Sequence, residues 1–180
     1  MNLNYKLKNQ GLTLIEALIW FAIFGAVVAG VFTLYSSSRN ASNASIVNKE
    51  LSTIFSQTEQ LYAYEHTQGL TNAVALQLGI VPQSLKVNGD IINNIFGGTV
   101  TIVGVSPSAF KVSYSHIPSG EVCANIVKSQ KAVGWNSANS SGLKTLYDAN
   151  YVISSVTITC GSNGDPARSV VFERANVTGV

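Results

Sequence analysis

The sequence predicts an α+β protein: one long N-terminal helix whose second half packs on an antiparallel sheet. Three observations carry this. From Leu12 to Tyr35 there are 24 residues and one charge, Glu16. No Gly or Pro interrupts the chain between Gly30 and Gly69. Beyond Gly69, short β-branched segments alternate with turn residues.

The 180 residues are 46% hydrophobic and only 11% charged, against about 25% charged in ordinary soluble domains. Part of the deficit is the apolar run, and the rest is a head rich in Ser, Asn, Thr and Gly. About 145 residues follow the run, enough for one domain with its own core. The net charge is +2, with both signs scattered. No basic stripe points to nucleic acid, and no acidic tail points to a solvating arm.

Residues 1–11 carry Lys6 and Lys8 and no acid. A short basic segment before an apolar run predicts a cytoplasmic N-terminus and an exported head. The run is too long for an ordinary secretory signal, whose apolar core spans about 7–15 residues. As a helix it would extend ~36 Å, enough to cross a hydrocarbon core of ~30 Å. Glu16 is the anomaly, since an acid at the centre of a membrane helix costs about 2.5–3.5 kcal/mol. It reaches the interface, or something specific pairs with it. Gly25/Ala29 and Ala26/Gly30 form two small-xxx-small pairs, which let helix backbones approach closely in lipid.

After Tyr35 the pattern changes without a break. Val47, Leu51, Ile54, Thr58 and Leu61 recur at intervals of three and four, with Phe55 and Tyr62 beside them. Lys49, Glu50, Glu59 and Gln60 are assigned to the solvent side. The simplest inference is one helix from about Leu12 to His66, ~80 Å long, with a head over residues 67–180.

In the head, Thr71 caps a short helix over Asn72–Leu78, stopped by Gly79 and Pro82. Loop signals follow at Asn88-Gly89-Asp90 and Gly97-Gly98. Residues 99–103 and 110–114 alternate and form a hairpin across Ser106-Pro107-Ser108. Ser119 is expected to cap a helix running to about Lys131, with Val122, Cys123, Ile126 and Val127 on one inward face. Gly134–Gly142 reads as a polar surface loop, Tyr151–Cys160 as a β-branched strand and Ser169–Phe172 as a last strand. Cys123 and Cys160 either pair, as expected in an oxidising compartment, or remain two buried thiols. Pairing would close a loop of roughly 40 residues, worth roughly 4 kcal/mol by loop entropy.

Chemical sites are sparse. His66 and His116 lack Cys, Asp or Glu at ligand spacing, so no metal is expected. No GxSxG, HExxH, P-loop or CxxC occurs. Neither a catalytic set nor a cofactor is expected.

Gly11-Leu12-Thr13-Leu14-Ile15-Glu16, followed by a long apolar helix, resembles a type IV prepilin: a basic leader ending in Gly, a cut before an apolar residue, and Glu four residues further on. Leu12 at the cut and the two cysteines resemble the type IVb group, with its bundle-forming, toxin-coregulated and plasmid thin-pilus major pilins. Asn94-Ile95-Phe96-Gly97-Gly98 is similar to a segment of the bundle-forming type, with Ile95 where Pro would be expected. The resemblance implies the type IV pilin fold, with a disulfide-closed C-terminal region, and a leader (1–11) removed by prepilin peptidase between Gly11 and Leu12. Leu12 would be N-methylated, and residues 12–35 would anchor the subunit in the inner membrane, head in the periplasm. A platform protein and ATPase would assemble it into a helical filament that passes an outer-membrane secretin. Self-association would then bury the apolar half-helices, with Glu16 meeting the α-amine of a neighbour's Leu12. Such fibres support adhesion, aggregation or conjugative mating. The alternatives are a minor pilin or type II secretion pseudopilin, and an uncleaved single-pass protein with a ligand-binding head.

Overall fold

The computed structural model describes residues 13–63 and 66–175. The expected leader, the Gly11–Leu12 cut and the methylation site lie outside the described residues. The chain divides into two units, one through Arg39 and one from Asn40.

Helix α1 covers Leu14–Leu61. Its start is set by Thr13, whose Oγ1 accepts the Glu16 backbone N–H at 3.4 Å, the Thr-x-x-Glu spacing of a capping box. It ends five residues before His66. Thr67 explains why the chain must leave the helix. It is fully buried, its N–H donates to the Pro107 carbonyl at 2.8 Å, and its hydroxyl donates to the Ser106 carbonyl at 2.7 Å. Gly104 makes this docking possible, because a Cβ there would run into the Thr67 carbonyl.

The head is a seven-stranded sheet in the order β1-β2-β3-β4-β7-β5-β6, every pairing antiparallel. Its strands are β1 Lys86–Asn88, β2 Ile91–Asn93, β3 Thr99–Ser106, β4 Ala109–Ile117, β5 Ser137–Ser140, β6 Leu143–Leu146 and β7 Arg168–Arg174. The expected hairpin is β3–β4, and the Asn88-Gly89-Asp90 turn joins two strands that were expected to be loop. Helix α2, Asn72–Gln77, has the expected cap, Thr71 accepting from Val74. Alternation along β4 buries Phe110, Val112 and Tyr114. The α1 stripe supplies Val47, Leu51, Ile54 and Thr58 to the same core.

Four expectations fail for identifiable reasons. Tyr151–Cys160 is not a strand: helix α4 covers Ile153–Cys160. Its buried residues, Val156, Thr159 and Cys160, follow the 3–4 spacing of a helix, and tertiary packing overrides β-branched propensity. Thr159 shares a 2.9 Å hydroxyl contact with Thr145 of β6, which fixes α4 on the sheet. Gly134–Gly142 is not a surface loop. Trp135 is buried, and β5 inserts between β6 and β7 with Ala138 fully covered. The small side chains of Ser137-Ala138-Asn139-Ser140 read as polar loop yet fit a crowded inner strand. Ser119 does not cap helix α3, Glu121–Gln130. Its hydroxyl donates to the Asp165 carbonyl at 2.6 Å, and the Glu121 N–H goes instead to Asn163 Oδ1 at 2.9 Å. Glu50, assigned to solvent, is only 3% exposed.

Trp135 is the hub where α1 meets the sheet. Its ring lies 4.9 Å from Phe55, 5.5 Å from Phe110 and 5.8 Å from Phe172, centroid to centroid. Its indole N–H donates to Gln130 Oε1 at 2.9 Å, and Gln130 donates on to Asn48 Oδ1 at 3.1 Å. Arg174 closes the same face, donating to Glu59 Oε1 at 2.6 Å. Cys123 of α3 and Cys160 of α4 form a disulfide, Cα–Cα 5.5 Å.

Replacing Cys123 by Ser is expected to destabilise the head by about 2–5 kcal/mol. Denaturant unfolding of the detergent-solubilised chain measures this, and an unchanged midpoint would remove the bridge as a structural support.

Candidate functional site

Two features of α1 stand apart from ordinary core packing. The first is its N-terminal part. Leu14 is 81% exposed and Phe21 75%, and Leu18, Trp20, Phe24, Phe32 and Leu34 are likewise uncovered. The helix is long and apolar enough there to cross a membrane. An uncovered surface of this kind is far larger than the scattered apolar side chains of a soluble protein, and it marks a membrane or an interaction site.

Within this surface Glu16 is exposed. Its backbone N–H reaches Thr13, but its carboxylate forms no hydrogen bond or ion pair among the described residues. Gly25 and Gly30 have no atom within 4 Å of a Cβ built on them. Nothing among the described residues requires glycine there, although each costs a helix roughly 1 kcal/mol relative to Ala. Ala26 and Ala29 are equally exposed or nearly so. Thr33 offsets part of the polar cost of its own hydroxyl by donating to the Gly30 carbonyl at 2.8 Å.

The second feature is Glu50 in the head, which sequence reasoning missed. Ser84 Oγ donates to its Oε1 at 2.8 Å, and Tyr114 OH donates to its Oε2 at 3.2 Å. The carboxylate therefore ties α1 to the segment before β1 and to the centre of β4. Burial pushes the carboxyl above its usual range, and the Ser84 and Tyr114 hydrogen bonds draw it partly back. Burial, and then the Glu50 charge, hold the Tyr114 phenol well above its ordinary value, so it stays a donor. The signal was present in the spacing: Glu50 is three residues after Val47 and four before Ile54, on the apolar stripe itself. Thr13 was equally legible from the Thr-x-x-Glu pattern.

The PilS N terminal family model matches residues 41–175. Among solved structures, the crystal structure of a type IVb pilin from Salmonella typhi matches with a TM-score of 0.51 and 18% identity, covering 71% of this chain and 98% of that one. At that identity the likeness is one of fold. No curated protein matches this sequence.

The raised carboxyl of Glu50 sets the sign of a pH effect. A group bound less tightly to its charge when folded contributes stability below its unfolded pKa and loses it as pH rises through the folded value. Glu50→Gln removes that loss. The melting temperature of the variant minus that of the native chain is expected to increase between about pH 4 and about pH 7. A constant difference across that range would show that Glu50 ionises without cost.

Proposed function

The chain belongs to the PilS family of type IV pilins, and from that premise we propose that it is the structural subunit of an extracellular type IVb pilus. The observation that carries this reading is the exposed apolar surface over Leu14–Tyr35 on a chain whose head has the fold of a type IVb pilin. The matched family span begins at residue 41. It is therefore independent of the Gly11–Glu16 motif, and the two lines of support do not share residues.

An all-round apolar helix has two stable surroundings, lipid and a bundle of its own copies. The subunit waits in the inner membrane on residues 12–35, its head on the periplasmic side, after prepilin peptidase has cut Gly11–Leu12 and methylated Leu12. The platform protein and ATPase then move it into a filament that leaves through the secretin. Packing brings Gly25, Ala26, Ala29 and Gly30 against neighbouring helices. Glu16, moved out of reach of water, meets the α-amine of a neighbour's Leu12. A charge-assisted bond of this kind offsets burial only in good geometry, so it selects one axial stagger between subunits. The assembled fibre serves adhesion, aggregation or conjugative mating.

Glu16→Gln is expected to leave the leader cut intact, seen by N-terminal mass analysis, and to abolish fibres by electron microscopy. Fibres in normal number would refute the pairing, and an intact residue 1–11 segment in the native protein would refute the pilin maturation route. Gly25→Leu is expected to lower fibre yield while leaving the melting temperature of the head unchanged. Unchanged yield would remove Gly25 from the packing surface.

A further inference from the structure

Glu50 and Ser84 also line a groove of about 610 Å³ in the head, together with Ile46, Lys86, Asn93 and Ile95. That volume lies within the roughly 300–1,000 Å³ of small-molecule sites. A second depression, of about 420 Å³, shares the Ile46–Glu50–Ser84 wall and adds Lys49.

The groove has polar capacity that the fold leaves unused. The ion pairs among the described residues are Lys111–Glu173, Lys144–Glu173, Arg168–Asp165 and Arg174–Glu59, so Glu50 has no cation. Ser84 and Tyr114 occupy two of the roughly four acceptor positions of a carboxylate. Lys86 lies on β1, at the edge of the sheet, and its ammonium has no partner among the described residues. The same holds for Lys49. Asn93 donates to the Lys86 carbonyl at 3.5 Å, and its Oδ1 accepts no hydrogen bond from the described residues.

The rim is preformed. Asn94 donates to the Ser115 carbonyl at 2.8 Å and accepts the Phe96 and Gly98 N–H groups at 2.9 and 3.0 Å. Its side chain is spent on holding the Asn94–Gly98 turn. That turn presents Ile95, 45% exposed, which lines the groove together with Ile46. A fixed turn that displays an aliphatic side chain beside unused polar groups is built to cover something.

The charge set narrows the occupant. The groove itself holds one buried carboxylate, Glu50, and one free, exposed ammonium, Lys86, so the exposed charge there is positive and disfavours a cationic ligand. A purely apolar ligand would leave Glu50 further desolvated with acceptor positions empty. A hydroxyl-rich ligand carrying an acid satisfies every group: hydroxyls donate to Glu50 and Asn93, the acid pairs with Lys86, and C–H faces lie on Ile46 and Ile95. We propose that this groove is a binding site for an acidic saccharide. The proposal rests on the head alone and does not depend on filament assembly.

The test uses the full chain in detergent micelles, titrated calorimetrically with tetragalacturonate and with neutral cellotetraose. Tetragalacturonate is expected to bind, more weakly as salt rises, and cellotetraose at least tenfold more weakly. Lys86→Gln should weaken tetragalacturonate binding about tenfold, as expected for a lost charge-assisted hydrogen bond, and Asn93→Ala should weaken it as well. Both residues lie on short strands, Lys86 on β1 and Asn93 on β2, and an unchanged melting temperature verifies the fold of each variant. Lys128→Gln, on α3, should bind as the native chain does. No binding of tetragalacturonate, equal binding of cellotetraose, or undiminished binding by both groove variants would each overturn the proposal.

Discussion

The structure depends on one helix whose two halves require different surroundings. In the second half, Val47, Leu51, Ile54 and Thr58 are fully buried by the head and form the spine of its core. In the first half, nearly every side chain between Leu14 and Tyr35 stays uncovered. Apolar burial is worth roughly 25 cal/mol per Å², so leaving so many aliphatic and aromatic side chains in water is untenable for a helix of this length. None of the described residues covers this surface. Lipid or further copies of the same helix must provide the cover. The propensity cost of Gly25 and Gly30 fits that requirement, since a residue without a side chain has value only where another backbone comes close.

The head then has to remain folded around a helix that is anchored elsewhere, and its C-terminal part is the weak point. The strands β5 and β6 are short and rich in Ser, Asn, Thr and Lys, and they contribute little apolar area. What holds them is a set of discrete ties. The disulfide joins α3 to α4, Thr159 joins α4 to β6, and Gln130 joins Trp135 to α1. Each satisfied buried polar group specifies one arrangement, because the alternative leaves an unpaired donor or acceptor away from water. The disulfide acts differently, by restricting the unfolded chain.

Much of this was legible in the sequence, and what was not has a physical reason. The apolar run, the stripe on α1, the β3–β4 hairpin and the inward face of α3 were visible because burial leaves a period in the chain. The hairpin β5–β6 left no such period, as its inner residues are small and polar. Its one local signal is the Ser141-Gly142 pair, which takes left-handed φ at both positions, as a two-residue turn requires. Helix α4 was read as a strand because Ile153, Val156, Thr157, Ile158 and Thr159 all favour strands in isolation. Only the contact with α3 and β6 decides otherwise. Glu50 was placed on the wrong side because its chemistry was weighed above its position. Its partners Ser84 and Tyr114 lie 34 and 64 residues away, and no local pattern announces them.

The two acids of α1 separate what the fold satisfies from what it leaves open. Glu50 is buried, and the chain provides for it with two hydroxyl donors from distant elements. Glu16 lies in the most apolar part of the same helix, and only its backbone N–H is engaged. Residues 13–63 and 66–175 offer its carboxylate no hydrogen bond or ion pair. If Glu16 were merely tolerated, an amide or hydroxyl there would cost less in lipid and less in a helical bundle. A full charge gains an advantage only when a cation is brought to it in fixed geometry. The described chain offers none within reach. In the assembly proposed above, that cation is the α-amine of a neighbour's Leu12, and the acid then determines how subunits meet rather than how one subunit folds.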